Sequence, residues 1–133
     1  LIENSELFVL PNIFLFAIFL AMNIKAIANK IGIDYEKVVE DFCGDISTLG
    51  ARIENFASSD FANKLNAYLD SSDYENTKAL SHSIRKDAEK IGLDSIAKSA
   101  KRVEDADSDK IKNATLVLIE KIEDATSIIE KSN

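Results

Sequence analysis

The chain has little from which to build a metal or redox centre: one histidine and one cysteine in 133 residues. Cys43 has no partner for an internal disulfide, and one His with one Cys does not make a metal-ligand cluster. A reducing cytoplasm is the compartment that fits such cysteine usage best. Beside Phe42, Cys43 is expected to be a buried small hydrophobe and not a reactive thiol. A basic surplus is also missing. The net charge is −7, which argues against free-standing nucleic-acid binding, because phosphate contacts need a basic surface. The runs that announce other chemistries are absent too: no GxxxxGK[ST], no GxGxxG, no HExxH, no serine nucleophile elbow. Valine and isoleucine recur at helical spacing and never alternate over a useful length, so no strand is expected.

What is present is an ordinary globular balance, 46% hydrophobic and 29% charged, at a length that suits one domain. One stretch does not match the rest. Residues 7–22, LFVLPNIFLFAIFLAM, hold four of the seven phenylalanines and form an apolar run interrupted by Pro11-Asn12. A membrane span needs about 20 apolar residues, so the run is marginal as an anchor. A signal peptide would want a basic start, where this chain has Glu3 and Glu6. Three readings stay open for residues 1–21: an anchor, a leader extraneous to a protein that begins at Met22, or a helix packed on the domain. Membrane contact follows only if residues 7–22 insert, and Lys25 and Lys30 would then keep the domain on the cytoplasmic side. The domain itself is assigned to residues 22–133.

From Asn23 the pattern is regular. Ile24, Ile27 and Ile31 share a helical face that Gly32 ends. Asp34 caps a helix expected over Tyr35 to Cys43, with Val38, Val39 and Phe42 inward. Gly44-Asp45 makes the next stop and start. Ile46, Leu49, Ile53 and Phe56 form a stripe, and after Ser58-Ser59-Asp60 so do Phe61, Leu65 and Leu69, as a second helix or a continuation. Ser72 with Glu75 has capping-box spacing and is expected to launch the following helix, which Gly92 ends. Asp94 starts the next, with Ile96, Ala100 and Val103 inward. Ser108 or Asp109 is expected to begin the last, where Ile111, Ala114, Leu118, Ile122, Ala125 and Ile129 keep one face. Short loops between long helices predict an all-α, antiparallel up-and-down four-helix bundle with short extra N-terminal helices. The acidic runs Glu104-Asp105, Asp107 to Asp109 and Glu123-Asp124 read as solvated surface and helix-start charges.

The single histidine lies in the helix that starts near Tyr74. Thr77, Leu80, Ile84, Ala88 and Ile91 form its core-facing stripe, which places His82 on the wet side. Lys78, Arg85 and Lys86 lie three or four residues away, where helical side chains meet. An imidazole with a free lone pair is a nucleophile. Neighbouring cations disfavour imidazolium and can neutralise an arriving phosphoryl group. No acid occurs three or four residues from His82. Glu75 and Glu89 are seven away, about 10 Å along the helix, so no carboxylate is expected to orient the ring, and both acids are assigned to partner docking. The competing reading of the charges is a plain solvated face.

The run His82-Ser83-Ile84-Arg85-Lys86-Asp87-Ala88-Glu89-Lys90-Ile91-Gly92 resembles the signature of histidine-containing phosphotransfer (HPt) domains. That signature is His, any, Leu, Lys, Gly, any, Ser or Ala, two of any, a bulky apolar residue, then Gly. His82, Ile84, Arg85, Ala88, Ile91 and Gly92 match it or substitute conservatively, and the likeness extends over roughly Met22 to the C-terminus. Lys86 departs, standing where the family carries Gly or another small residue that leaves room for a docking partner and the phosphoryl group.

The resemblance implies a four-helix bundle with an exposed histidine midway along one helix. It implies a phosphoryl carrier, not a stand-alone enzyme. His82 would be the phosphorylated nucleophile, Arg85, Lys78 and Lys86 its phosphate-supporting cations, and Ala79, Ser83 and Glu89 the docking surface. The partner would be a response-regulator receiver domain or a hybrid histidine kinase. The Mg²⁺ of the reaction would belong to the receiver, so no cofactor is expected here. Two further readings stand beside it: a degenerate HPt-like bundle that binds a receiver or kinase without transfer, favoured by Lys86, and a structural bundle with a chance histidine.

Overall fold

The computed structural model describes residues 23–132, and the apolar run at 7–22 lies outside the described residues. All regular structure within them is α-helical. Residues 23–30 are helical (α1) and are followed by α2 (Tyr35–Asp41), α3 (Ile46–Ser58), α4 (Phe61–Asp70), α5 (Tyr74–Lys90), α6 (Asp94–Asp105) and α7 (Ile111–Lys131). Contacts run from α4 to α5, α5 to α6, α6 to α7 and α7 back to α4, with α3 laid against α7. Among the described residues no helix is long and apolar enough to cross a membrane.

The aliphatic stripes point inward as their spacing requires. Leu49, Leu65, Ile84, Val103, Ile111 and Leu118 are fully buried in one cluster, each contributing about 1.5–3 kcal/mol by leaving water. The most extensive helix pair is α5 with α6. The buried residues of the two helices include small ones, Ser81 and Ala88 on α5 and Ala97, Ser99 and Ala100 on α6, beside the larger Ile84, Ile96 and Val103. The polar flanks of the pair meet within bonding distance. The hydroxyls of Ser81 and Ser99 have no partner among the described residues. Thr77 and Thr115, also buried, donate to the carbonyls of Asp73 at 2.8 Å and Ile111 at 2.7 Å.

Helix ends correct several expectations. The cap of α5 is Asp73, whose carboxylate accepts from the Asn76 amide at 3.1 Å, and not Ser72. Ser72 takes a left-handed backbone, φ 53°, to close the end of α4, so the capping role passes one residue on. Cys43 also takes φ 53°. It stands just past the C-terminus of α2, which ends at Asp41, and its thiol is exposed, not buried. The last helix begins at Ile111, because Asp107 to Lys110 form a turn in which the Asp107 carbonyl accepts from both Lys110 and Ile111 at 2.9 Å. Ser58-Ser59-Asp60 is a true break: Asp60 sits at φ 58° and separates α3 from α4. Asp34 and Asp45 cap as expected, the latter accepting from the Thr48 amide at 3.1 Å.

The turn after α5 is held from outside. Gly92 has φ +78°, and a Cβ there would lie 2.5 Å from Cγ2 of Val38, a residue of α2 that is itself buried. Gly32 has φ +83° with open space around it. Gly32→Ala is therefore expected to cost about 1–2 kcal/mol, the strain of a left-handed backbone alone. Gly92→Ala adds roughly 1–3 kcal/mol for displacing a packed side chain. Equal urea midpoints for the two variants would show that α2 does not clamp this turn.

Candidate functional site

His82 lies in the middle of α5, on the side opposite Thr77, Ile84 and Ala88. Its side chain is 51% exposed. Ala79, Ser83 and Lys86 are exposed beside it and Lys78 is half-buried, so these residues share the accessible face of the helix.

The carboxylate that the sequence reading did not find comes from the neighbouring helix. Glu104, in the last turn of α6, places Oε1 2.6 Å from Nδ1 of His82 and Oε2 2.5 Å from Nε of Arg85. A second Arg85 nitrogen, Nη2, lies 3.4 Å from Oε1. Its Nη1 donates to Glu89 at 3.1 Å. Glu104 is only 15% exposed and Arg85 20%, so the assignment of Glu104-Asp105 to solvated surface holds for Asp105 and fails for Glu104. Residues 82 and 104 are 22 positions apart, and no periodicity within one helix could connect them. The available signal was on α6 itself: Glu104 follows Val103 of the buried stripe, which sets it at the flank of the core and not on the outer face.

Two groups meet Nδ1: Oε1 of Glu104, an acceptor, at 2.6 Å and Nη2 of Arg85, a donor, at 3.1 Å. The carboxylate contact is the shorter, and we assign the Nδ1 proton to it. In the neutral ring the lone pair then lies on Nε2. Among the described residues Nε2 makes no hydrogen bond, and it belongs to the half-exposed ring. The arrangement anchors one ring nitrogen and leaves the other without a partner on a half-exposed ring.

The charges around His82 differ from three free cations. Arg85 is neutralised by Glu104 and Glu89, and the hydrogen bonds it donates, to Glu104 first and then to Glu89, raise its pKa above the ordinary guanidinium value. Burial pushes the Glu104 carboxyl up, but hydrogen bonds from Arg85 and His82 outweigh it and hold the group below the usual carboxylate range. Glu89, expected to serve docking, is paired with Arg85 while still 51% exposed. Lys78 and Lys86 make no salt bridge among the described residues. Nor does any group of three His, Cys, Asp or Glu side chains there form a metal site.

Because the folded pKa of Glu104 is depressed, its contribution to stability is present above the ordinary value of 4.5 and is lost as pH falls through the folded value. The Glu104 carboxyl carbon, followed by NMR, is expected to titrate below 4.5 in the native chain and to move upward in Arg85→Gln. In the neutral form of the His82 ring, nitrogen-15 shifts should show a protonated Nδ1 and an unprotonated Nε2. A ring in the opposite tautomer would dissolve the anchored arrangement. No family model, curated protein or solved structure matches the chain.

Proposed function

We propose that the chain is a histidine phosphotransfer protein, carrying a phosphoryl group on His82 to or from an aspartate of a receiver domain. In this reading α4 to α7 are the four helices of an antiparallel up-and-down bundle, preceded by the short α1 and α2 and by α3, which lies against α7. The observation that carries the proposal is the Glu104–His82 pair, with Nδ1 held at 2.6 Å on a ring that is half in water. A solvated face gives a histidine no reason to be oriented by a largely buried carboxylate.

The transfer follows from the tautomer. The Nε2 lone pair attacks phosphorus in line with the bond to the aspartate oxygen, a P–N bond forms, the P–O bond breaks, and the aspartate leaves as carboxylate. Nε2 has no proton to lose. The proton on Nδ1 stays with the ring, and Glu104 offsets the positive charge that the phosphorylated ring acquires. Lys78 and Lys86, one turn to either side of His82, offset charge on the equatorial oxygens. Arg85, engaged by two carboxylates, acts as a positioning residue that keeps Glu104 ionised and aimed. Any Mg²⁺ would be held by the receiver and would supply charge neutralisation there. Ala79 and Ser83 add little bulk beside the ring and leave room for a transient interface of the low-area class.

The test is to incubate the protein with a phosphorylated receiver and follow acid-labile label. Label is expected on the native chain and not on His82→Gln, and labelling of both forms, or of neither, removes the proposal. Glu104→Ala should remain foldable and transfer roughly a hundredfold more slowly, the scale of a misplaced reacting group. Lys86→Gly separates the carrier from a binding module that has lost transfer. If the lysine obstructs, its removal speeds labelling, and if it holds phosphate, labelling slows.

A further inference from the structure

Beside the His82 site a groove of about 410 Å³ opens between α5 and α6, lined by Arg85, Lys98, Lys101 and Arg102 together with Glu89 and Asp94. Four cations stand against two carboxylates there, in a chain whose net charge is −7. Arg85 and Glu89 neutralise one another at 3.1 Å, which leaves Lys98, Lys101 and Arg102 against Asp94 as the charge offered outward. Lys98 and Arg102 are one helical turn apart and make no salt bridge among the described residues. Lys101 pairs with Asp105 at 3.3 Å, both side chains more than half exposed, an arrangement that releases at little cost. Arg85 belongs to both the groove and the Glu104–His82 network, so the groove adjoins the reacting ring, with the neutralised Arg85 as their shared wall.

We infer that this α6 strip is the steering and docking surface for the acidic face of the protein with which His82 exchanges phosphate. The inference rests on the phosphocarrier reading. A partner that carries phosphate on an aspartate gathers further carboxylates to hold its divalent cation, so the mouth of its site is acidic. A chain of net charge −7 repels such a face at a distance. A local positive strip on one flank of the histidine reverses that repulsion in one orientation only, which raises the encounter rate and fixes how the partner is seated.

The experiment compares the native chain with the double variant Lys98→Glu/Arg102→Glu. Three phosphoryl donors are used: phosphoramidate, which needs no docking, a phosphorylated receiver with an acidic rim, and the same receiver with that rim neutralised to amides. With the acidic receiver at low salt, the second-order transfer rate constant is expected to fall about tenfold or more, and native and variant rates should converge as salt rises. With phosphoramidate or the neutralised receiver the two chains should label alike, and Lys98→Gln/Arg102→Gln should fall between them with the acidic receiver. Equal low-salt rates with the acidic receiver overturn the surface and leave the phosphocarrier reading standing. Loss of phosphoramidate labelling in the variant also overturns it, since the residues then serve His82 directly. A native chain that takes label from none of the three donors overturns the phosphocarrier reading and this inference with it.

Discussion

One carboxylate joins two helices and sets the state of the only histidine. Glu104 reaches from the end of α6 to Nδ1 of His82 and Nε of Arg85 on α5. That reach requires the two backbones to lie close. Small buried residues on both helices, Ser81 and Ala88 on α5 and Ala97, Ser99 and Ala100 on α6, suit a close approach. Core packing and site chemistry meet here, since the helix pair with the most extensive contact is the one that anchors the ring.

Much of the architecture could be read from spacing. The stripes through Ile53 and Phe56, Ile84 and Ala88, Ala100 and Val103, and Leu118 and Ile122 are buried as their period demands. The terminators Gly32 and Gly92 take the left-handed conformation that ends a helix. Reading failed where two local rules competed for one residue. Ser72 could cap α5 or close α4, and it closes α4 at φ 53°, since the chain must reverse before a new helix can be capped. Cys43 was judged by its apolar neighbour Phe42. Its position beyond the last turn of α2 turns the thiol outward, and exposure follows from backbone geometry and not from composition.

The site was half legible for a related reason. A helical wheel orders the residues of one helix, so His82, Lys78, Lys86, Ala79 and Ser83 could be placed on a common face. It is silent about what an adjacent helix delivers. Arg85 was read as a free cation because its carboxylate partners were sought only on its own helix, and only Glu89 was available there. Glu104 was hidden in a run of acids that resembles ordinary surface charge. What distinguishes it from Asp105 is rotation by one residue, about 100° around the helix. That rotation takes its carboxylate from water to the seam between α5 and α6.

The short turn between these helices has a further meaning. Ile91 and Leu93 are both buried, and Gly92 between them admits no Cβ beside Val38, so the connection has neither slack nor spare room. Adding or deleting a single residue there would swing Glu104 around its axis by more than a quarter of a circle and carry it away from the imidazole. The separation of 22 positions is thus a fixed length in the way a bond is fixed. Exposed positions along it are open to substitution, while the number of residues is not.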